Sequence, residues 1–503
     1  MAILEAKVES GILRGTYAGN DSVSVFKGVP YAAPPVGELR WREPQPPEPW
    51  EGVRTAYTFS PICPQEQFKK GSFYSKEFYG VPFPMSEDCL TLNIWTPAER
   101  PEEKLPVAFY VHGGGFTGGM SCNKSYDGEA FAKRGVILVT INYRVGIFGF
   151  LASRELTEER RQQDGVATSG NYGFLDQIAA LKWVRRNIAA FGGDPERITI
   201  FGQSAGGGSV QMLCASPLTE GDIHQAIIQS SMVLVPVGGS NNKTLAEAEA
   251  FGESFLTETG IQTIAKGRAL TTEELLEKFL IFKGDKIPPQ LSFKVNVDGY
   301  VLKHDMLDNV CYNQYHDIAC MVGCTANEME NDGFTKEAVL PEQASVREHI
   351  LAQIGPKAEM YFDLLEEGKE NAEDLPKRFV AGAAAFCEMQ LAQGRKPAYQ
   401  YLFSHEAPGG DHAGAFHSVE HPYVFQTLGR IWRPYRGEDW ELSNLCCDYW
   451  TNFIKTGDPN GEGLPEWTPY TLEKPELMEL KPGAAMKRVQ KEPYIRFKRK
   501  DLQ

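Results

Sequence analysis

The run Ile198-Thr199-Ile200-Phe201-Gly202-Gln203-Ser204-Ala205-Gly206 constrains this chain more than any other stretch. A β-prone apolar segment leads into a Gly-x-Ser-x-Gly pentapeptide, and a helix-compatible segment, Ser209 to Leu213, follows the glycines. Strand, sharp turn, then helix is the context that holds a serine hydroxyl up at the end of a sheet, where it can attack a carbonyl. Gly202 and Gly206 suit such a turn, because flanking backbones approach closely where a Cβ would obstruct them. The pentapeptide alone is common. Its context and two partners downstream give it meaning.

Elsewhere the chain alternates in the same way. Leu105 to Val111 and Val136 to Asn142 read as buried strands. Phe174, Ile178, Leu181, Val184 and Ile188 form a stripe at helical spacing, ended by Gly192-Gly193 and Asp194-Pro195. Ile318 to Val322 and Ala398 to Phe403 suit further strands. Strands alternating with helices predict an α/β fold, with a large, mostly parallel central sheet covered on both faces. No repeat, charge block or low-complexity linker divides the chain, so residues 1–503 read as a single unit. In such sheets, sites form beyond the carboxyl ends of strands.

Charge and cysteine usage narrow the classes. A net charge of −15 weighs against a nucleic-acid or anionic-membrane partner. No stretch approaches the ~18 uninterrupted apolar residues of a membrane span. The first residues, Met1 to Glu9, carry acidic side chains where a signal peptide needs a basic and then an apolar run. The expectation is a cytoplasmic protein. Ten cysteines without CxxC pairs suit free thiols better than a zinc knuckle or a dense disulfide framework.

A nucleophilic Ser204 needs a base to take its proton and a carboxylate to orient that base. Where the serine sits on an elbow of this kind, the acid and then the histidine follow it in the chain. His349 lies in a helix-like stretch, which leaves His405, His412, His417 and His421 beyond the strand ending at Phe403. His417 is best placed of these, sitting in Gly414-Ala415-Phe416-His417-Ser418-Val419-Glu420, where small residues let a loop bring the ring toward the serine. For the acid, Glu328 follows the strand ending at Val322, with Glu330 and Asp332 close behind. His112-Gly113-Gly114-Gly115-Phe116 follows another strand and offers converging amides for an oxyanion, with the N–H of Ala205 adding a third donor.

Together these motifs make the chain resemble the type-B carboxylesterases. That α/β-hydrolase family includes para-nitrobenzyl esterases, liver carboxylesterases, cholinesterases and bile-salt-stimulated lipases. The resemblance runs from Phe26-Lys27-Gly28-Val29-Pro30-Tyr31-Ala32 and Leu39-Arg40-Trp41 through Ser86-Glu87-Asp88-Cys89-Leu90-Thr91-Leu92-Asn93. It continues through Asn142-Tyr143-Arg144-Val145-Gly146 and Gly170-Asn171-Tyr172-Gly173-Phe174-Leu175-Asp176-Gln177. It implies an α/β-hydrolase fold with insertions forming a gorge. It also implies hydrolysis of a small-molecule ester without a cofactor or metal, by a triad of Ser204, Glu328 and His417. The implied oxyanion donors are Gly114, Gly115 and Ala205. By the same resemblance, Arg40 with Glu87 and Arg144 with Asp176 are ion pairs that fasten loops, and Cys63 with Cys89 is the pair that forms a disulfide in secreted members. Asn327-Glu328-Met329 departs from the family's Asp-Glu-Gly, and Gln229-Ser230-Ser231 from its Gln-Ser-Gly.

Three rival readings stand beside this one. Gly113-Gly114-Gly115-Phe116-Thr117-Gly118 fits a dinucleotide fingerprint, but the next strand ends Thr140-Ile141-Asn142-Tyr143-Arg144, without the acidic residue that would hold a ribose. His417-Ser418-Val419-Glu420-His421 spells a zinc-peptidase motif, which requires a continuous helix, and Pro422 interrupts one. A catalytically silent, esterase-like adhesion protein would have lost the serine, which is present here. The aromatic run Phe68, Phe73, Tyr74, Phe78, Tyr79 and Phe83 fits either a gorge rim or loop packing. Specialisation for aromatic, feruloyl-type esters is the main alternative within the esterase reading. The sequence leaves oligomeric state open.

Overall fold

Alternation along the strand Leu105–Val111 sets the plan of the molecule. Val107, Phe109 and Val111 enter one buried cluster, while Ala108 and Tyr110 enter another on the opposite face. The computed structural model describes residues 1–80, 82–231, 243–284, 293–305, 315–328 and 375–489. Met329, Glu330, Asp332 and His349 lie outside the described residues.

That strand lies inside an eleven-stranded sheet. Its order is Ala485–Arg488, Glu476–Leu480, Ala398–Phe403, Ala319–Thr325, Gln225–Gln229, Gly193–Gln203, Leu105–Val111, Ile137–Ile141, Thr91–Thr96, Asn20–Pro30 and Thr16–Ala18. Every pairing from Glu476–Leu480 to Ile137–Ile141 is parallel. The outer pairings are antiparallel. Parallel strands here are buried on both faces, which explains their continuous apolar runs. Helices Tyr172–Asn187 and Ala205–Leu213 supply Leu181, Trp183, Val184, Val210 and Leu213 to one core. Helix Gly437–Thr456 supplies Cys446, Cys447, Trp450 and Phe453 to the other. This is the α/β-hydrolase architecture expected from the chain.

Several boundaries differ from the sequence reading. The helix after Ser204 begins at Ala205, not Ser209, because its glycines pack against neighbouring backbone. The strand before Ser204 starts at Gly193, inside the Gly192-Gly193 and Asp194-Pro195 stretch that reads as a helix stop. Pairing with Leu105 draws that turn into the sheet. The strand read as ending at Val322 runs on to Thr325.

Both expected ion pairs form. Arg40 Nε donates to Glu87 at 2.8 Å, and its Nη1 donates to the carbonyl oxygens of Gly267 and Leu270 at 2.7 and 2.9 Å. Arg144 holds Asp176 through Nε at 2.8 Å and Nη2 at 2.7 Å, with both side chains buried. Breaking one partner of such a pair would leave the other charge buried, at a cost of roughly 3–5 kcal/mol. Cys63 and Cys89 are neighbouring buried thiols, and the Cys63 thiol together with burial pushes Cys89 well above its ordinary pKa.

Candidate active site

Only Ser204 separates the strand ending at Gln203 from the helix starting at Ala205. It takes φ +59° and ψ −127°, a conformation that L-residues occupy at a cost of about 1–3 kcal/mol. Neighbours hold it there. The Ser204 N–H donates to Gln229 O at 2.9 Å, tying the elbow to the next strand, and the Gly208 N–H donates to Ser204 O at 2.9 Å. A Cβ on Gly206 would run into the carbonyl oxygen of Val111, so this position needs a glycine.

Beyond the strand Leu105–Val111, the glycine loop folds back over the elbow. A Cβ built on Gly113 would lie 3.0 Å from that of Ser204. Gly114 and Gly115 have φ of +114° and +64°, and Gly114 O accepts from Thr117 N and Gly118 N at 3.1 Å each. The N–H of Ala205 opens its helix, where the first turn's amides have no partner inside the helix and carry partial positive charge. His112 orders this loop from below. Its Nδ1–H donates to Gly113 O at 2.8 Å, its ring stacks on Tyr143 at 4.3 Å, and burial lowers its pKa to about 4. Turns, not a helix, follow Gly118, so the loop lacks the helix that a dinucleotide fingerprint opens.

His417 and Glu328, 89 positions apart in sequence, meet beside the elbow: His417 Nδ1 donates to Glu328 Oε2. Both are buried, Glu328 completely. Burial opposes the charge on Glu328, but His417, the Ser230 hydroxyl and the amide of Thr325 outweigh it, and the carboxyl pKa lies below its ordinary value. The Thr325 N–H donates to Glu328 Oε1 at 2.9 Å. Gln203, the residue before Ser204, brings its side-chain nitrogen within 3.1 Å of His417 Nε2. The three other candidate histidines beyond Phe403 stand elsewhere. His405 lies 2.8 Å from Asp439, His412 is exposed near Glu406, and His421 Nε2 lies 3.2 Å from the Tyr110 hydroxyl. The short helix His421–Val424 begins after His417, so the two imidazoles of His-x-x-Glu-His do not share a helix face.

Residues 3–498 match the carboxylesterase family. This chain belongs to that family. It is therefore a serine hydrolase that cleaves carboxylic esters. Among curated relatives, it is 37% identical to the fumonisin B1 esterase of Sphingopyxis macrogoltabida, over 84% of this chain and 74% of that one. It is 33% identical to the para-nitrobenzyl esterase of Bacillus subtilis (strain 168), over 93% of each chain. A solved para-nitrobenzyl esterase structure superposes with a TM-score of 0.82 at 31% identity, covering 99% of both chains.

Around the site, this carboxylesterase carries groups whose contacts the motifs did not disclose. Glu420, three residues past His417, is fully buried, and its Oε1 accepts from Gln229 Nε2 at 3.2 Å. Burial and the nearby Glu328 raise its pKa to about 7. The aromatic run rests on the segment bearing His417: Phe73 meets Phe416 edge-on at 4.8 Å, and Phe68 stacks on Tyr79 at 4.6 Å. Arg433 clamps that contact, donating through Nε and Nη2 to Glu77 at 3.1 and 2.7 Å and through Nη1 to Asp411 at 3.0 Å. Glu420 stood out in the sequence only as part of the His-x-x-Glu-His spacing, and a lone downstream arginine such as Arg433 carries no spacing signal at all. Among the described residues, no helix is long and apolar enough to cross a membrane.

Proposed function

We propose that this carboxylesterase works through Ser204, His417 and Glu328, with Gly114, Gly115 and Ala205 as oxyanion donors. The observation that carries the reading is the buried His417–Glu328 pair standing beside a strained serine elbow. With Nδ1–H given to Glu328, His417 presents an unprotonated Nε2 as base. It takes the Ser204 proton as Oγ attacks the ester carbonyl. Glu328 stabilises the imidazolium that forms, and the N–H donors carry the oxyanion. His417 then protonates the departing alcohol, and in the second half activates water to release the acid from Ser204. These steps call on no cofactor.

Ser204→Ala tests the nucleophile. The folded variant should lose ester turnover, apart from the ~10³–10⁴-fold rate over water that binding and the oxyanion donors still supply. Wild-type turnover by that variant would overturn the reading. Glu328→Gln should also be severely impaired.

The substrate is a small-molecule ester. The aromatic cluster of Phe68, Phe73, Tyr74 and Tyr79, packed against Phe416 one residue before His417, supports a second, narrower reading, a preference for aromatic esters. Comparing kcat/KM for feruloyl, para-nitrobenzyl and simple acetyl esters, with fumonisin B1 in the same panel, decides between them. Equal values for acetyl and feruloyl esters would remove the aromatic reading.

A further inference from the structure

Gln203 has no part in the three-residue scheme, yet its side chain touches the base. It is 2% exposed, and its Nε2 lies 3.1 Å from His417 Nε2 and 3.5 Å from Nδ1. Those two distances settle where the amide sits. A donor in the ring plane, on the Nε2 lone pair, would be farther from Nδ1 by nearly the width of the ring. Similar distances to both nitrogens put the amide over the ring face. The amide therefore does not lie along the in-plane lone pair of Nε2. The other end of the amide rests toward the glycine loop, with Oε1 3.4 Å from where a Gly113 Cβ would stand.

We propose that Gln203 is a positioning residue, whose amide N–H covers one face of the His417 ring and holds the imidazole in the plane shared by Glu328 and Ser204. The proposal rests on the triad reading above. Its physical content is twofold. A wedge between the glycine loop and the ring keeps Nε2 aimed at the reacting atoms, where a displacement of about 1 Å can cost ~10²-fold in rate. The positive end of an N–H dipole over the ring also disfavours the imidazolium, so more of the base is free at a given pH. The titratable groups facing His417 among the described residues are Glu328 from the strand ending at Thr325, and Glu420 and His421 from its own segment. Gln203 contributes an uncharged contact from the elbow, so its replacement alters one face of the ring and leaves those groups in place.

The test is the titration of His417 itself, followed by NMR of the ring nitrogens in the Ser204→Ala background, where turnover plays no part. Gln203→Glu replaces the N–H with a carboxylate and should raise the His417 midpoint by about one unit. Gln203→Met removes the N–H without adding charge and should raise it by less, and it stands in if the first variant fails to fold. In enzyme retaining Ser204, the acid limb of kcat/KM should move by the same amount, lowering activity about tenfold at a pH below the limb. An unmoved or lowered midpoint in both variants overturns the role of Gln203 while leaving the triad intact. Turnover surviving Ser204→Ala would overturn the triad, independently of where His417 titrates.

Discussion

Asn327 and Ala415 exchange two hydrogen bonds: the Asn327 N–H donates to Ala415 O at 3.0 Å, and the Ala415 N–H donates to Asn327 Oδ1 at 2.9 Å. Asn327 precedes Glu328, and Ala415 lies two residues before His417. The exchange therefore stitches the acid-bearing loop to the base-bearing loop beyond the sheet. Where the family motif has aspartate, asparagine here supplies the accepting oxygen of the link.

Asn327→Ala should lower kcat by about tenfold with little change in KM, because the proposed acid and base lose their common register while the ester pocket is untouched. Asn327→Asp keeps an acceptor oxygen and should retain most of the activity. Steady-state kinetics on one para-nitrophenyl ester checks both. Equal loss in the two variants would mean that the side-chain oxygen is not what matters.

Glu420 makes stability depend on pH in a stated direction. Its folded pKa of about 7 lies above its ordinary 4.5, so between those values the fold keeps a proton that the unfolded chain has released. Its contribution is fully present below the unfolded pKa and is lost as pH rises through the folded one. Glu420→Gln keeps an acceptor for Gln229 and cannot ionise. Urea melts at pH 5 and pH 8 should show the variant gaining on the wild type at the higher pH, by at most roughly 3 kcal/mol. An equal stability difference at both values would show that ionised Glu420 is accommodated.

Arg433 and Glu77 are both buried, with side chains 0% and 2% exposed. Arg433→Met should cost roughly 3 kcal/mol, the lower end for a broken buried pair, because Asp411 on the far side of the guanidinium is partly exposed and can rehydrate. Adding Glu77→Gln should recover part of the loss, since the stranded carboxylate is then gone. A double-mutant cycle in urea measures the coupling. Strict additivity would show that the two side chains do not act as a pair.

Local chemistry was legible in the chain itself. An apolar run before glycine-flanked Ser204, a glycine triplet after the strand at Val111, and strands alternating with a helix-period stripe carry their own geometry, because turns and amphipathic faces are set by neighbouring residues. The candidate acid and base were also legible, as residues just past strands, though their pairing was only implied by resemblance. Contacts between distant segments were decided by the tertiary structure alone. The strand at Gly193 formed because Leu105 was there to pair with it. Gln203 reached the ring of His417, Asn327 reached Ala415, and Arg433 reached Glu77 across 356 positions. Such contacts depend on which side chains packing leaves facing one another, and on how burial shifts a charge such as that of Glu420. Neither is encoded at any fixed spacing along the chain.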